Sequence, residues 1–166
     1  MKKKSLQERY APSSVCFGCG PANEQGLKIR SVVEGHSVVA RWIPRPYHHA
    51  FGNVLSGGII STVLDCHSNW TGAYSLMVEA GAEAPPPTVT ASIFVEFLRP
   101  TPVAPLLLEG SAKGISGRKV VVESAVKADG VVTATLRGTF VAVRADHPAA
   151  RRWLGEEEGA DRHHPA

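Results

Sequence analysis

The stretch LSGGIISTVLD, Leu55 to Asp65, holds two groups whose types and spacing can do chemistry. An aspartate within an apolar run is costly to bury unless it is paired, hydrogen-bonded or used. Gly57 and Gly58, at the opening of a helix, offer backbone N–H groups without helical partners at the positive end of the helix dipole. Lacking Cβ atoms, they let a second chain or a ligand come close. The plainer use of such a pair is tight packing against a sheet. Taken together with Asp65, the pair suggests a carboxylate acting as base or nucleophile and N–H donors that hold a carbonyl oxygen as it gains charge.

Spacing limits how they can cooperate. Eight helical residues at 1.5 Å rise put Gly57 and Asp65 ~12 Å apart. Base and oxyanion donor must both reach one reacting group within about 3 Å. One chain cannot do that. If both act, Gly57 of one subunit faces Asp65 of another, and the chemistry requires a dimer.

The element that carries both groups is a helix expected over 56–78, with Ser56 as N-cap. Ile59, Ile60, Val63, Leu64, His67, Trp70 and Tyr74 recur at helical spacing and form a packing face. A second stripe, Ser61, Thr62, Asp65, Ser68, Asn69 and Gly72, is small and polar. Without Lys, Glu or Arg it does not resemble a solvent face, and it reads as a cavity wall or subunit contact. Before the helix, LKIRSVVEG and HSVVARWIP read as strands around a Glu34-Gly35 turn, followed by a loop, RPYHHAFGNV. After it come four strands, beginning with TVTASIFVEFLRP, the last two joined at Asp129-Gly130. The expected class is α+β, a curved antiparallel sheet around one long central helix. Residues 1–15 read as a polar arm, 16–144 as the domain, and 145–166 as a tail with a short helix.

Composition narrows the partners. With 166 residues and 43% hydrophobic content, the chain suits one domain. A charge of +3 spread without a basic stripe does not point to nucleic acid. No apolar run approaches the ~20 residues of a membrane span, and no apolar segment follows Lys2-Lys3-Lys4 as in a signal peptide. An odd number of cysteines, three, fits a reducing cytoplasm. Cys16 and Cys19 form a C-x2-C, but a zinc site needs four ligands and no second pair follows. Cys66 falls on the buried helix. The pair therefore reads as a tight turn, and no metal or other cofactor is expected. Arg99 and Gly117-Arg118-Lys119 sit at strand ends, where solvated side chains are the ordinary finding and anionic phosphates the functional one.

Read in order, GLKIR, HHAFGNVLSGGIISTVLD, TVTASIFVEFLRP, SGRKVVVESAVKADG and ATLRGTFVAV resemble the hotdog-fold acyl-CoA thioesterases, in particular the phenylacetate-pathway and THEM-like group. The likeness runs over roughly 16–144 and includes CFGCGPANEQGL. It implies a helix wrapped by the sheet, a homodimer with sites at the subunit interface, often a dimer of dimers, and hydrolysis of acyl-CoA without a metal. The roles implied are Asp65 as base or nucleophile and Gly57 as oxyanion donor. Thr90 and Asn69 are the polar helpers, and Gly58, Ser56, His49, Asn53, Arg99, Arg118 and Lys119 hold substrate. Two positions depart from the family pattern: Ser56 stands where His is common, and Ala50 where Asn or Gln is common, with His48, His49 or Asn53 as substitutes. Those departures favour the alternative of a non-catalytic acyl-CoA-binding protein. A hydroxyacyl-thioester dehydratase, with His49 as base and Asp65 as acid, ranks below both.

Overall fold

Strand patterning and turn chemistry account for most of the architecture in the computed structural model, which describes residues 4–154. The chain runs through α1 (Leu6–Tyr10), β1 (Ser31–Glu34), β2 (Ser37–Trp42), a short hairpin of β3 (His49–Phe51) and β4 (Val54–Leu55), then α2 (Gly57–Glu79). Strands β5 (Thr88–Phe97), β6 (Leu106–Ser116), β7 (Lys119–Ala128) and β8 (Val131–Ala142) and helix α3 (Pro148–Leu154) follow. Six strands form one antiparallel sheet in the order β1-β2-β6-β7-β8-β5. This is the α+β arrangement expected, with α2 lying across one face of the sheet.

Strand β7 shows why the sheet has an inside. Val120, Val122, Ser124 and Val126 are buried, while Val121, Glu123, Ala125 and Lys127 are half-exposed. A period of two puts the first set against α2. The turn that carries β7 into β8 has both central residues at positive φ, Asp129 at 47° and Gly130 at 77°. That conformation matches the twist of a two-residue hairpin. Val63, Leu64 and Trp70 of α2 share the core with Leu108, Val120, Val122, Leu136 and Phe140. Each such side chain contributes roughly 1.5–3 kcal/mol on burial. A Cβ on Gly72 would lie 2.8 Å from Val120 Cγ1, so glycine sets how closely α2 approaches β7.

The structure differs from the sequence reading in four places. Helix α2 begins at Gly57, and Ser56 is its N-cap by position and extended backbone without a side-chain hydrogen bond. The loop before it contains a 3-10 turn and the β3–β4 hairpin. The polar arm contains α1, with Leu6, Gln7 and Ala11 buried. Gln7 satisfies Ser31 at the start of β1: its Nε2 donates to Ser31 Oγ at 3.1 Å and its Oε1 accepts from Ser31 N at 2.9 Å. Finally, the polar stripe of α2 is split. Ser68 and Gly72 turn to the sheet, with Ser68 Oγ 2.6 Å from Ser124 Oγ, while Asp65 and Asn69 face a cavity. The expected short helix after 145 is present as α3, and the remainder of that tail, 155–166, lies outside the described residues, as do Met1 to Lys3.

Candidate active site

Asp65 stands near the middle of α2, half-buried, on the side that faces β5. The Thr90 hydroxyl donates to its Oδ1 at 2.8 Å. One turn further along, Asn69 Oδ1 accepts from Thr88 Oγ1 at 2.7 Å, and Asn69 Nδ2 donates to the Thr88 carbonyl at 3.3 Å. Thr88 and Thr90 are two apart, so the pleat turns both toward the helix. Directly after Thr90 the register with β8 shifts, a bulge that ends this alternation. Two helix-to-strand pairs thus join α2 to β5, and one of them, Thr90, holds the carboxylate. Asn69 retains a second N–H.

Burial pushes the Asp65 carboxyl above its ordinary range, the Thr90 hydrogen bond pulls the other way, and charge on Cys16 adds to the rise. Asp65, Asn69 and Thr90 line a cavity of about 390 Å³. Its other walls are Trp70 and Cys66 of α2, the loop at Ser14–Cys19, and Trp153 of α3, whose ring centre lies 4.4 Å from that of Trp70.

The remaining expected site residues lie elsewhere in the chain. Gly57 and Gly58 open α2. A Cβ on Gly57 would sit 3.4 Å from the Phe97 ring, whereas the Gly58 position is nearly open. Ser56 N donates to His48 O at 2.9 Å, and Asn53 O accepts from Val103 N at 3.0 Å, which ties the hairpin to the start of the helix and to the segment after β5. His49 is exposed, with Nδ1 3.3 Å from Gly52 O. His48 stacks on Trp42, and burial, reinforced by Arg45, pushes its pKa down. Arg99 is exposed just beyond β5. Arg118 and Lys119 are exposed at the β6–β7 turn, where Lys119 pairs with Val141 and Val141 with Val89, the neighbour of Thr90. Strand β5 therefore spans two clusters. Thr90 meets Asp65 near its start, and Phe97 meets Gly57 at its end.

One group was missed in the sequence. Cys66, set aside there as a helix residue, brings its sulfur to 3.7 Å from Cys16. Hydrogen bonds from the Cys19 and Cys66 thiols pull the Cys16 thiol down, against its partial burial, and the same contacts push Cys19 and Cys66 up. The only sequence signal was the CFGCG motif, since nothing local links it to a residue 50 positions away.

No family model matches the chain, and no curated protein does. Among solved structures, a thioesterase superfamily protein from Shewanella loihica PV-4 is 31% identical, with a TM-score of 0.59 over 74% of this chain and 97% of that one. This chain belongs to the thioesterase superfamily. The thioesterase fold is shared by two more distant structures. The PaaI protein of the E. coli phenylacetic acid degradation operon is 13% identical, with a TM-score of 0.60 over 71% of this chain and 81% of that one. A Bacillus halodurans protein solved with CoA is 22% identical, with a TM-score of 0.59 over 71% and 76%. Helix α2 across the antiparallel sheet is the hotdog arrangement of this superfamily. Among the described residues of this thioesterase superfamily member, no helix is long and apolar enough to cross a membrane.

Proposed function

We propose that this chain hydrolyses an acyl-CoA thioester to the free acid and coenzyme A, at a site completed by two subunits. The observation that carries the reading is Asp65, a half-buried carboxylate held by Thr90 at the wall of a cavity. Asp65 either takes a proton from the attacking water, or bonds to the carbonyl carbon as the C–S bond breaks, giving an anhydride that water then hydrolyses. In the first route, water oxygen bonds to the carbonyl carbon, the C–S bond breaks, and the thiolate leaves. Thr90 aims the carboxylate. The N–H of Gly57, from the other subunit, holds the carbonyl oxygen.

Strand β5 supports the dimer. It is an edge strand whose Ile93, Phe94 and Phe97 are exposed, as is Leu98 just beyond it. Unpaired edges with apolar side chains invite a partner. Antiparallel pairing of β5 with its own copy about a two-fold axis would set the start of one strand beside the end of the other. Thr90 with Asp65 would then adjoin Phe97 with Gly57 of the other subunit, as the helix spacing demands. Coenzyme A as the thiol carrier is supported by the CoA bound to the Bacillus halodurans neighbour. In this reading the exposed Arg99, Arg118 and Lys119 bind its phosphates, and Ser56, Gly58, His49 and Asn53 contact the acyl carbonyl end.

A non-catalytic acyl-CoA-binding protein is the second reading, favoured by Ser56, whose side chain makes no capping bond, and by Ala50. A dehydratase would need His49 beside Asp65, and within one chain His49 does not line that cavity. Thiol release from a panel of acyl-CoA thioesters, by wild type and Asp65→Asn, separates the readings. Hydrolysis predicts loss of at least about 100-fold in kcat, with acyl-CoA still bound, the scale of removing one general base. Unchanged turnover excludes this mechanism.

A further inference from the structure

Among the described residues, Cys16, Cys19 and Cys66 place their three sulfurs within 4.8 Å of one another. Cys16 and Cys66 are 3.7 Å apart, close enough for a thiol hydrogen bond and too far for the roughly 2.05 Å of a disulfide. Zinc–sulfur bonds of about 2.3 Å in a tetrahedron put two sulfurs about 3.8 Å apart. Cys16 and Cys66 already have that separation.

The surroundings are those of bound thiolates. Cys16-Phe17-Gly18-Cys19-Gly20 folds into a tight loop closed by Gly20 N to Cys16 O at 2.8 Å. Trp70 Nε1 donates to Cys19 Sγ at 3.3 Å. Donors of this kind hold and tune metal ligands from the outer shell. Gly18 is required for the approach, because a Cβ there would lie 2.3 Å from Cys66 Sγ. The three cysteines also line the cavity that holds Asp65, so an ion at this cluster would adjoin that cavity.

We propose that Cys16, Cys19 and Cys66 bind one zinc ion, with the fourth position open to the cavity. Binding releases the thiol protons and leaves three thiolate–zinc bonds. The ion ties the N-terminal loop to α2 one residue from Asp65. This revises the sequence expectation of a simple turn, and it stands apart from the hydrolysis reading because its measurement is metal uptake.

The test is titration of reduced, metal-stripped full-length protein with Zn(II) against a chromophoric chelator, and with Co(II) as an optical probe. One ion per chain is expected, with an intense thiolate-to-cobalt charge-transfer band in the near ultraviolet. Cys16→Ser, at an exposed position, should lose more than about 100-fold in zinc affinity, since loss of an outer-shell partner alone costs 10–100-fold. Cys19→Ser is the second variant. Failure to take up one zinc overturns the proposal, and so does uptake without a thiolate band and of equal affinity in both variants, which would mark surface histidines as the ligands.

Discussion

The Thr90 hydroxyl reaches across from the edge strand to Asp65 Oδ1 at 2.8 Å, tying the orientation of the carboxylate on α2 to the strand that bounds the sheet. A change at Thr90 is therefore felt at the carboxylate.

That bond gives the first prediction. Burial holds the Asp65 carboxyl above its ordinary range and Thr90 opposes the rise. A base must be deprotonated, so activity falls on the acid side as Asp65 takes up a proton. Thr90→Val removes the opposing bond, and the acid limb of kcat/KM moves to higher pH. Activity on the plateau should drop about tenfold, the scale of one hydrogen bond to a charged group. A pH–rate profile checks this, with Thr90→Ser expected to restore the wild-type limb. An unmoved limb in Thr90→Val would show that Thr90 does not act through Asp65.

His67 supplies a stability prediction. Its ring is fully buried, with Nδ1 2.9 Å from Ser31 Oγ and Nε2 3.2 Å from Val38 O. The Val38 carbonyl can only accept, which assigns the ring proton to Nε2 and leaves Nδ1 to accept from the Ser31 hydroxyl. Burial pushes the pKa of His67 from 6.5 down to about 4. Between those values the unfolded chain binds a proton that the folded chain refuses. The stability is complete above pH 6.5 and is lost as pH falls toward 4. The loss over that window is about 3 kcal/mol, at about 1.4 kcal/mol per pH unit. Urea unfolding of wild type and His67→Gln across the window should show the wild-type curve falling more steeply. Parallel curves would mean that His67 is not held neutral.

Gln7 tests whether the first residues belong to the fold. Gln7→Ala leaves the buried N–H of Ser31 without its acceptor. The cost should be about 1–3 kcal/mol, the penalty for an unsatisfied buried donor, read from the urea midpoint. A change below the error of that measurement would mean that α1 is only laid on the surface.

The parts of the fold that could be read in the sequence were those encoded locally. The packing face of α2, the Asp129-Gly130 hairpin and the alternation in β7 are each contained within a few turns or residues, and each is present. Asp65 stood out because a lone carboxylate broke an apolar run, and Thr90 because the family resemblance implies a helper hydroxyl on the following strand. What escaped depends on contacts distant in sequence. Gln7 is buried only because Ser31, 24 residues on, answers both ends of its amide. LQERY has too few apolar residues to announce a docked helix. Cys66 meets Cys16 because α2 passes over the CFGCG loop. The place of Trp153 against Trp70 is fixed by the path of the chain after β8, which no periodicity records.

The shared site is tested most directly by mixing two inactive variants. Asp65→Asn lacks the carboxylate. Gly57→Pro lacks the oxyanion N–H and keeps the helix, because proline suits the first helical position and Ser56 before it is already extended, at φ −60° and ψ 133°. Each variant alone should be inactive in acyl-CoA hydrolysis. After subunit exchange, half of the dimers are mixed, and each mixed dimer holds one site with Asp65 from one chain and Gly57 from the other. Turnover per chain should recover to about a quarter of wild type for a two-fold dimer with two sites. Mixed dimers that form, as judged by mass or a tag, and yet stay as inactive as their parents would contradict a site built from both subunits.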